Sequence, residues 1–113
     1  MNGRQFSLYL ARDLRCVCGC SGREDTFVPQ HRINRGLGGS KVLDRPANII
    51  VMCSATNGAI EADARAAQAA RSYGWKLSRW ESPEETPFYD LATGTWNLID
   101  NTYHRTVTEK AAA

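Results

Sequence analysis

His31, Asn48, Asn57 and Glu61 are the residues of this 113-residue chain whose types and spacing could do chemistry together. They follow one another at intervals of seventeen, nine and four residues. A histidine, with an ordinary pKa of about 6.5, is the side chain best suited to take a proton from water near neutrality. Amide and carboxylate oxygens suit a hard divalent cation, which in turn can neutralise charge on a phosphate and its leaving oxygen. On a helix, the four-residue separation of Asn57 and Glu61 places both on one face, one turn apart, within reach of a common ion. A base, a cation and a cleft shared by all four side chains would suffice to hydrolyse a phosphodiester bond.

The elements that must position these residues can be read around them. "DTFVPQHRI" reads as a strand that Pro29 confines to an edge or a bend, with His31 near its end. "NRGLGGSKVLDRPA", with three glycines and a proline, reads as a loop, and "NIIVMC", opened by Asn48, as a short buried strand. From Ser54 the sequence "SATNGAIEADARAAQAARSYGW" is strongly helix-forming, with Ser54 or Thr56 as N-cap and Gly74 as the stop, giving one long central helix. The centre is thus strand, loop, strand, helix, with the polar residues at its joints. Ahead of it, Arg4 to Leu14 reads as a short helix and "CVCGCSG" as a tight loop. Behind it, "WKLSRW" and "TWNLID" read as strands flanking the link "ESPEETP", Trp75, Trp80 and Trp96 as core residues, and "EKAAA" as a frayed end. The expected organisation is an α+β single domain in three parts. Residues 1–14 form an N-terminal helical segment, 15–80 the core with its cysteine knuckle, and 81–113 a C-terminal extension with a short strand.

Composition bounds the partners. At 42% hydrophobic residues, a chain of this length buries only a modest core and gains from a metal or a partner. A net charge of +2 does not by itself announce a nucleic-acid ligand. Arg32, Arg35, Lys41 and Arg45, however, crowd the glycine-bearing loop between His31 and Asn48, where side chains and backbone N–H groups could meet phosphate. No apolar run approaches the roughly 20 residues of a membrane span, and the first residues lack the apolar core of a signal peptide, so a cytoplasmic protein is expected. In that compartment Cys16, Cys18, Cys20 and Cys53 bind metal or stay as free thiols more often than they pair.

Between about Cys16 and Asp100 the chain resembles the HNH endonucleases with their ββα-metal core, and especially the small HNH proteins of actinobacterial phages. The stretches that carry the resemblance are "HRINRGLGGS", "RPANIIVMC", "NGAIE", "GWKL" and "TPFYDLATGTWNLID". The resemblance implies a metal-dependent DNA endonuclease using Mg²⁺ or Mn²⁺. His31 would be the general base, Asn48 the residue that holds the loop and orients the histidine, and Asn57 and Glu61 the metal ligands. It also implies DNA as partner, a bacterial host cytoplasm as location if phage-encoded, and a homodimer or a host or phage protein as a further partner.

The chain departs from the family pattern at defined places. Gln30 stands where many relatives carry His or Asp as a metal ligand, and Asn57 stands in place of His, which suits Mg²⁺ better than Zn²⁺. Relatives hold a structural zinc with two Cys-x-x-Cys pairs, whereas here Cys16, Cys18 and Cys20 face a single Cys53. Four thiols could still make a tetrahedral zinc site; equally, free cysteines can pack as small hydrophobes. Two function classes follow: an active nuclease, and an HNH scaffold of weak or no activity that binds nucleic acid or a protein.

Overall fold

The computed structural model describes residues 2–20, 26–34 and 41–109, with Lys41 described in its backbone only. At its centre, β1 (Phe27–His31) and β2 (Ile49–Cys53) form an antiparallel hairpin in which Phe27 faces Cys53 and His31 faces Ile49. β2 is buried along its whole length, as an uninterrupted run of large apolar residues requires. Pro29, which donates no N–H, sits opposite Val51 on the other strand of this two-stranded sheet. Successive residues of β2 point to opposite faces. Ile50 and Met52 enter a core shared with Val17, Ile60, Ala70, Trp75, Phe88 and Ile99, while Ile49 and Val51 pack against Tyr9.

The Tyr9 side is covered by α1 (Gly3–Asp13), whose start is fixed by a reciprocal cap. The Gln5 N–H donates to Asn2 Oδ1 at 2.8 Å and the Asn2 N–H to Gln5 Oε1 at 3.2 Å. On the other side lies the helical segment that follows β2. It is not the single long helix expected from its composition. α2 (Ser54–Ala62) and α3 (Ala64–Ser72) are separated by Asp63, whose backbone is extended and whose carboxylate caps α3 by accepting from the Arg65 N–H at 2.8 Å. An aspartate that satisfies its own backbone in this way favours a helix start over a helix interior. The N-cap of α2 is Cys53 rather than Ser54 or Thr56, its sulfur accepting from the Thr56 N–H. Gly74 ends α3 as expected: its φ is +73°, and a Cβ there would collide with the carbonyl oxygen of Pro87.

"WKLSRW" is not a strand. The Trp75 and Lys76 N–H groups close α3 onto the Ala70 carbonyl, Leu77 donates to the Arg32 carbonyl, and Ser78 to the Glu81 side chain. These donors are spent locally, and no ladder forms. Trp75 is buried as expected; Trp80, expected in the core, is 87% exposed.

The C-terminal part holds more than the short strand expected of it. β3 (Phe88–Asp90), β4 (Thr95–Ile99) and β5 (Arg105–Thr108) form an antiparallel sheet in that order, and Phe88 and Ile99 join the same core as Ile50 and Met52. A buried charged network ties this sheet to the start of the chain. The Arg12 guanidinium donates to both oxygens of Asp13 at 2.7 and 2.8 Å, and to the carbonyls of Pro46 and Ile49. Asp13 accepts from the Val51 N–H at 3.0 Å and from Arg105 at 3.4 Å, and Arg105 also donates to Asp90 and Asn97. Two buried carboxylates thus meet two guanidinium groups, which is the condition under which buried charge is tolerated. Most of the expected frayed end, residues 110–113, lies outside the described residues.

Candidate functional site

Asn48 organises the region. Its amide oxygen accepts from the Ile33 N–H at 2.8 Å, and its Nδ2 donates to the Ile33 carbonyl at 3.1 Å and to the Leu43 carbonyl at 2.9 Å. Its own carbonyl accepts from the Arg32 N–H at 2.7 Å. One fully buried side chain therefore clamps both ends of the loop between the strands. An amide is required here, because the site presents one donor and two acceptors.

The clamp sets His31 beside Asp44. His31 is the last residue of β1, and Asp44 ends the short 3₁₀ turn Lys41–Asp44, one residue beyond the clamped Leu43. Their side chains meet with Nε2 2.8 Å from Asp44 Oδ1. In the sequence Asp44 reads as an ordinary loop acid; only the three-dimensional closure of the loop brings it to the histidine. His31 is not bonded to Asn48 itself. The connection runs through the backbone of Arg32 and Ile33.

Gln30, Asn57 and Glu61 occupy the other face. Strand alternation points Gln30, opposite Ile50, toward the face that carries Ile60 of α2, and His31, opposite Ile49, toward Tyr9. Gln30 and His31, adjacent in β1, therefore leave opposite faces of the hairpin at its loop end, where His31 pairs with Ile49. Gln30 is buried and donates its Nε2 to the His31 carbonyl at 3.0 Å, which leaves its Oε1 as the atom for a cation. Asn57 is half-buried in the first turns of α2. Glu61 is exposed and lies 3.7 Å from the Lys76 ammonium, which also donates to Asn34 Oδ1 at 3.3 Å. This Glu61–Lys76–Asn34 chain brings the end of α2 to the start of the loop after His31. It also sets a positive charge against the one anionic donor expected to hold a metal, so Glu61 fits a cation only if Lys76 releases it.

The basic residues are redistributed by folding. Arg32, expected to meet phosphate, is 1% exposed. Its guanidinium donates to the carbonyls of Gly74, Ala47, Pro83 and Thr86 and lies over the Phe88 ring. Burial, with the charge of Arg12 adding to it, lowers its pKa to about 10. It is a structural residue and not a phosphate contact. Arg45 is engaged by Glu84 at 2.5 and 3.3 Å, and this pairing, more than its further bonds to Asn101 and Ser82, holds the Glu84 carboxyl down at about 2. Arg35 and the side chain of Lys41 lie outside the described residues.

The four cysteines converge. Cys16, Cys18, Cys20 and Cys53 place their sulfurs within 4.8 Å of one another, with Cys18 to Cys53 at 3.9 Å and Cys16 to Cys18 at 2.9 Å. A tetrahedral zinc with bonds of ~2.3 Å needs sulfur–sulfur edges of about 3.8 Å, so small adjustments complete the site. The local backbone already favours thiolates. Cys16 accepts from the Cys18 and Cys53 N–H groups, and Cys53 from the Thr56 N–H at the start of α2. Gly19, with φ +75°, turns the chain between the ligands. Burial would raise the Cys53 thiol, but hydrogen bonds from Thr56, Cys20 and Cys16 bring it down to about 7; burial pushes the Cys16 thiol up. The cluster is compatible with a metal such as zinc.

No family model matches the chain, and no curated protein or solved structure matches it. Among the described residues no helix is long and apolar enough to cross a membrane.

Proposed function

We propose that this protein is a metal-dependent DNA endonuclease of the HNH type, with Mg²⁺ or Mn²⁺ as its catalytic cation. The observation that carries the reading is the Asn48 clamp, which presents His31 at the loop end of the β1–β2 hairpin that leads into α2. The scissile phosphate would sit at the loop end of the hairpin, between His31 on one side and Gln30, Asn57 and Glu61 on the other. A cation held there by the oxygens of Gln30, Asn57 and Glu61 would supply charge neutralisation at the phosphate and the leaving oxygen. His31 takes a proton from a water; the water oxygen bonds to phosphorus as the bond to the leaving oxygen breaks, and solvent protonates that oxygen. Zinc on Cys16, Cys18, Cys20 and Cys53 is structural in this reading. It fixes the loop after α1 to the joint of β2 and α2, at the far end of the hairpin from His31.

A second reading has its own observations. Glu61 is paired to Lys76, Arg45 to Glu84, and Arg32 is buried, which removes an anion from the cation site and two cations from the DNA surface. These features favour a scaffold of weak or no activity that binds nucleic acid or a protein. Nicking of supercoiled plasmid by the purified protein with Mg²⁺ or Mn²⁺, abolished by EDTA, decides between the two. Plasmid left intact at micromolar protein would support the scaffold.

A further inference from the structure

We propose that Asp44 is the positioning residue of His31. It holds the proton on Nε2 and leaves Nδ1 as the nitrogen that receives the proton of water. The catalytic half of this statement rests on His31 being a general base; the tautomer half does not. The two side chains lie 2.8 Å apart, Nε2 to Oδ1. An ionised carboxylate accepts and never donates, so a neutral imidazole in this contact must carry its hydrogen on Nε2. The lone pair is then on Nδ1, which lies on the other side of the ring from Asp44 and is the only acceptor the ring retains.

The contact is built rather than incidental. His31 and Asp44 lie thirteen residues apart on either side of the loop, and each is adjacent to a backbone position fixed by Asn48. The His31 side chain is about one-fifth exposed, and its strand is paired through to Ile49. Behind Asp44, Gln5 and Tyr9 of α1 and Tyr103 share with it a small hollow of about 110 Å³. α1 and the β4–β5 turn thereby form the back wall of the dyad. When Nδ1 takes the proton of water, the resulting imidazolium keeps Nε2–H on Asp44, and no proton moves to the carboxylate.

The test is a long-range ¹⁵N–¹H spectrum of the full chain, at a pH where the ring is neutral, combined with plasmid nicking. Wild-type protein should show His31 as a single Nε2–H tautomer. Asp44→Ala should shift it toward the mixed pattern of an unconstrained imidazole, with nicking down by about 10–100-fold or more, the lower range being that for loss of a carboxylate orienting a metal-bound histidine and the larger losses those for one orienting a general base. Asp44→Asn keeps the shape of the side chain and an accepting oxygen, so it should restore most of the tautomer and part of the rate. A wild-type His31 carrying its hydrogen on Nδ1, or a pattern unchanged in Asp44→Ala, would overturn the proposal. A tautomer that responds to Asp44 in a protein that never nicks DNA would uphold the dyad and sink the nuclease reading instead.

Discussion

Arg32 and Gly74 are joined across forty-two residues by a hydrogen bond of 2.9 Å, from the guanidinium Nε to the glycine carbonyl. The residue immediately after His31 thus holds the end of the helical segment, and with its remaining donors the loop through Pro83 and Thr86.

The first expected outcome follows from that bond. Arg32→Ala strands four buried carbonyls, and we expect a loss on the order of 3 kcal/mol in urea unfolding. Arg32→Lys should recover little, because an ammonium does not reproduce the planar fork. A variant as stable as the wild type would show that water replaces the guanidinium without cost.

Gly74→Ala tests the same joint from the other partner. The positive φ, together with the Pro87 carbonyl standing where a methyl group would have to go, leaves no room for a side chain. Thermal unfolding should fall well below that of the wild type, by more than the ~1 kcal/mol that φ alone costs.

His31→Ala should leave folding intact while reducing plasmid nicking by roughly 10²–10⁴-fold. Undiminished nicking would place the chemistry elsewhere in the chain or in a contaminant.

Zinc should copurify at one equivalent per chain, measured by elemental analysis, and its removal should lower the melting temperature by about 10 °C or more. Cys53→Ser is the most informative variant, because Cys53 is at once a cluster member and the cap of α2. Equal melting with and without zinc would reduce the cluster to packed thiols.

The Arg45–Glu84 pair sets a pH dependence. The folded-state pKa of Glu84 is depressed to about 2 from an ordinary 4.5, so its stabilisation is fully present above about pH 4.5 and is lost as pH falls toward 2. The pair is about one-third exposed, so the contribution is that of a surface ion pair, about 1 kcal/mol or less. Arg45→Met should lower stability at pH 7 by about that amount and leave it unchanged near pH 2, so that the acid limb of the stability curve is flattened in that window. An unchanged acid limb would mean the pair is absent in solution.

The hairpin and its helix were legible because their signals are local. The apolar run at Ile49–Cys53, the proline in β1 and the glycine after α3 each act through their own backbone. The break at Asp63 was hidden by an alanine-rich window whose summed propensity outweighs one capping aspartate. Trp80 was misplaced because hydrophobicity predicts burial only when the backbone is free to pair, and the donors of residues 75–78 are taken by Ala70, Arg32 and Glu81. The convergence of four cysteines followed from their number and residue type. Asp44 and Lys76 carry no signal of their own because their importance depends on partners, His31 and Glu61, that only folding supplies. Arg32 shows the reverse error: a loop arginine reads as a surface cation until the carbonyls of three distant segments are seen to surround it.

The contact between Asp13 and Arg105 spans ninety-two residues. The carboxylate that closes α1 is therefore shared between its sequence neighbour Arg12 and a guanidinium of the last strand. A chain cut before residue 105 would keep the Asp13–Arg12 pair and lose the guanidinium that meets Asp90, so damage to β5 would be felt at the first helix as well as in its own sheet.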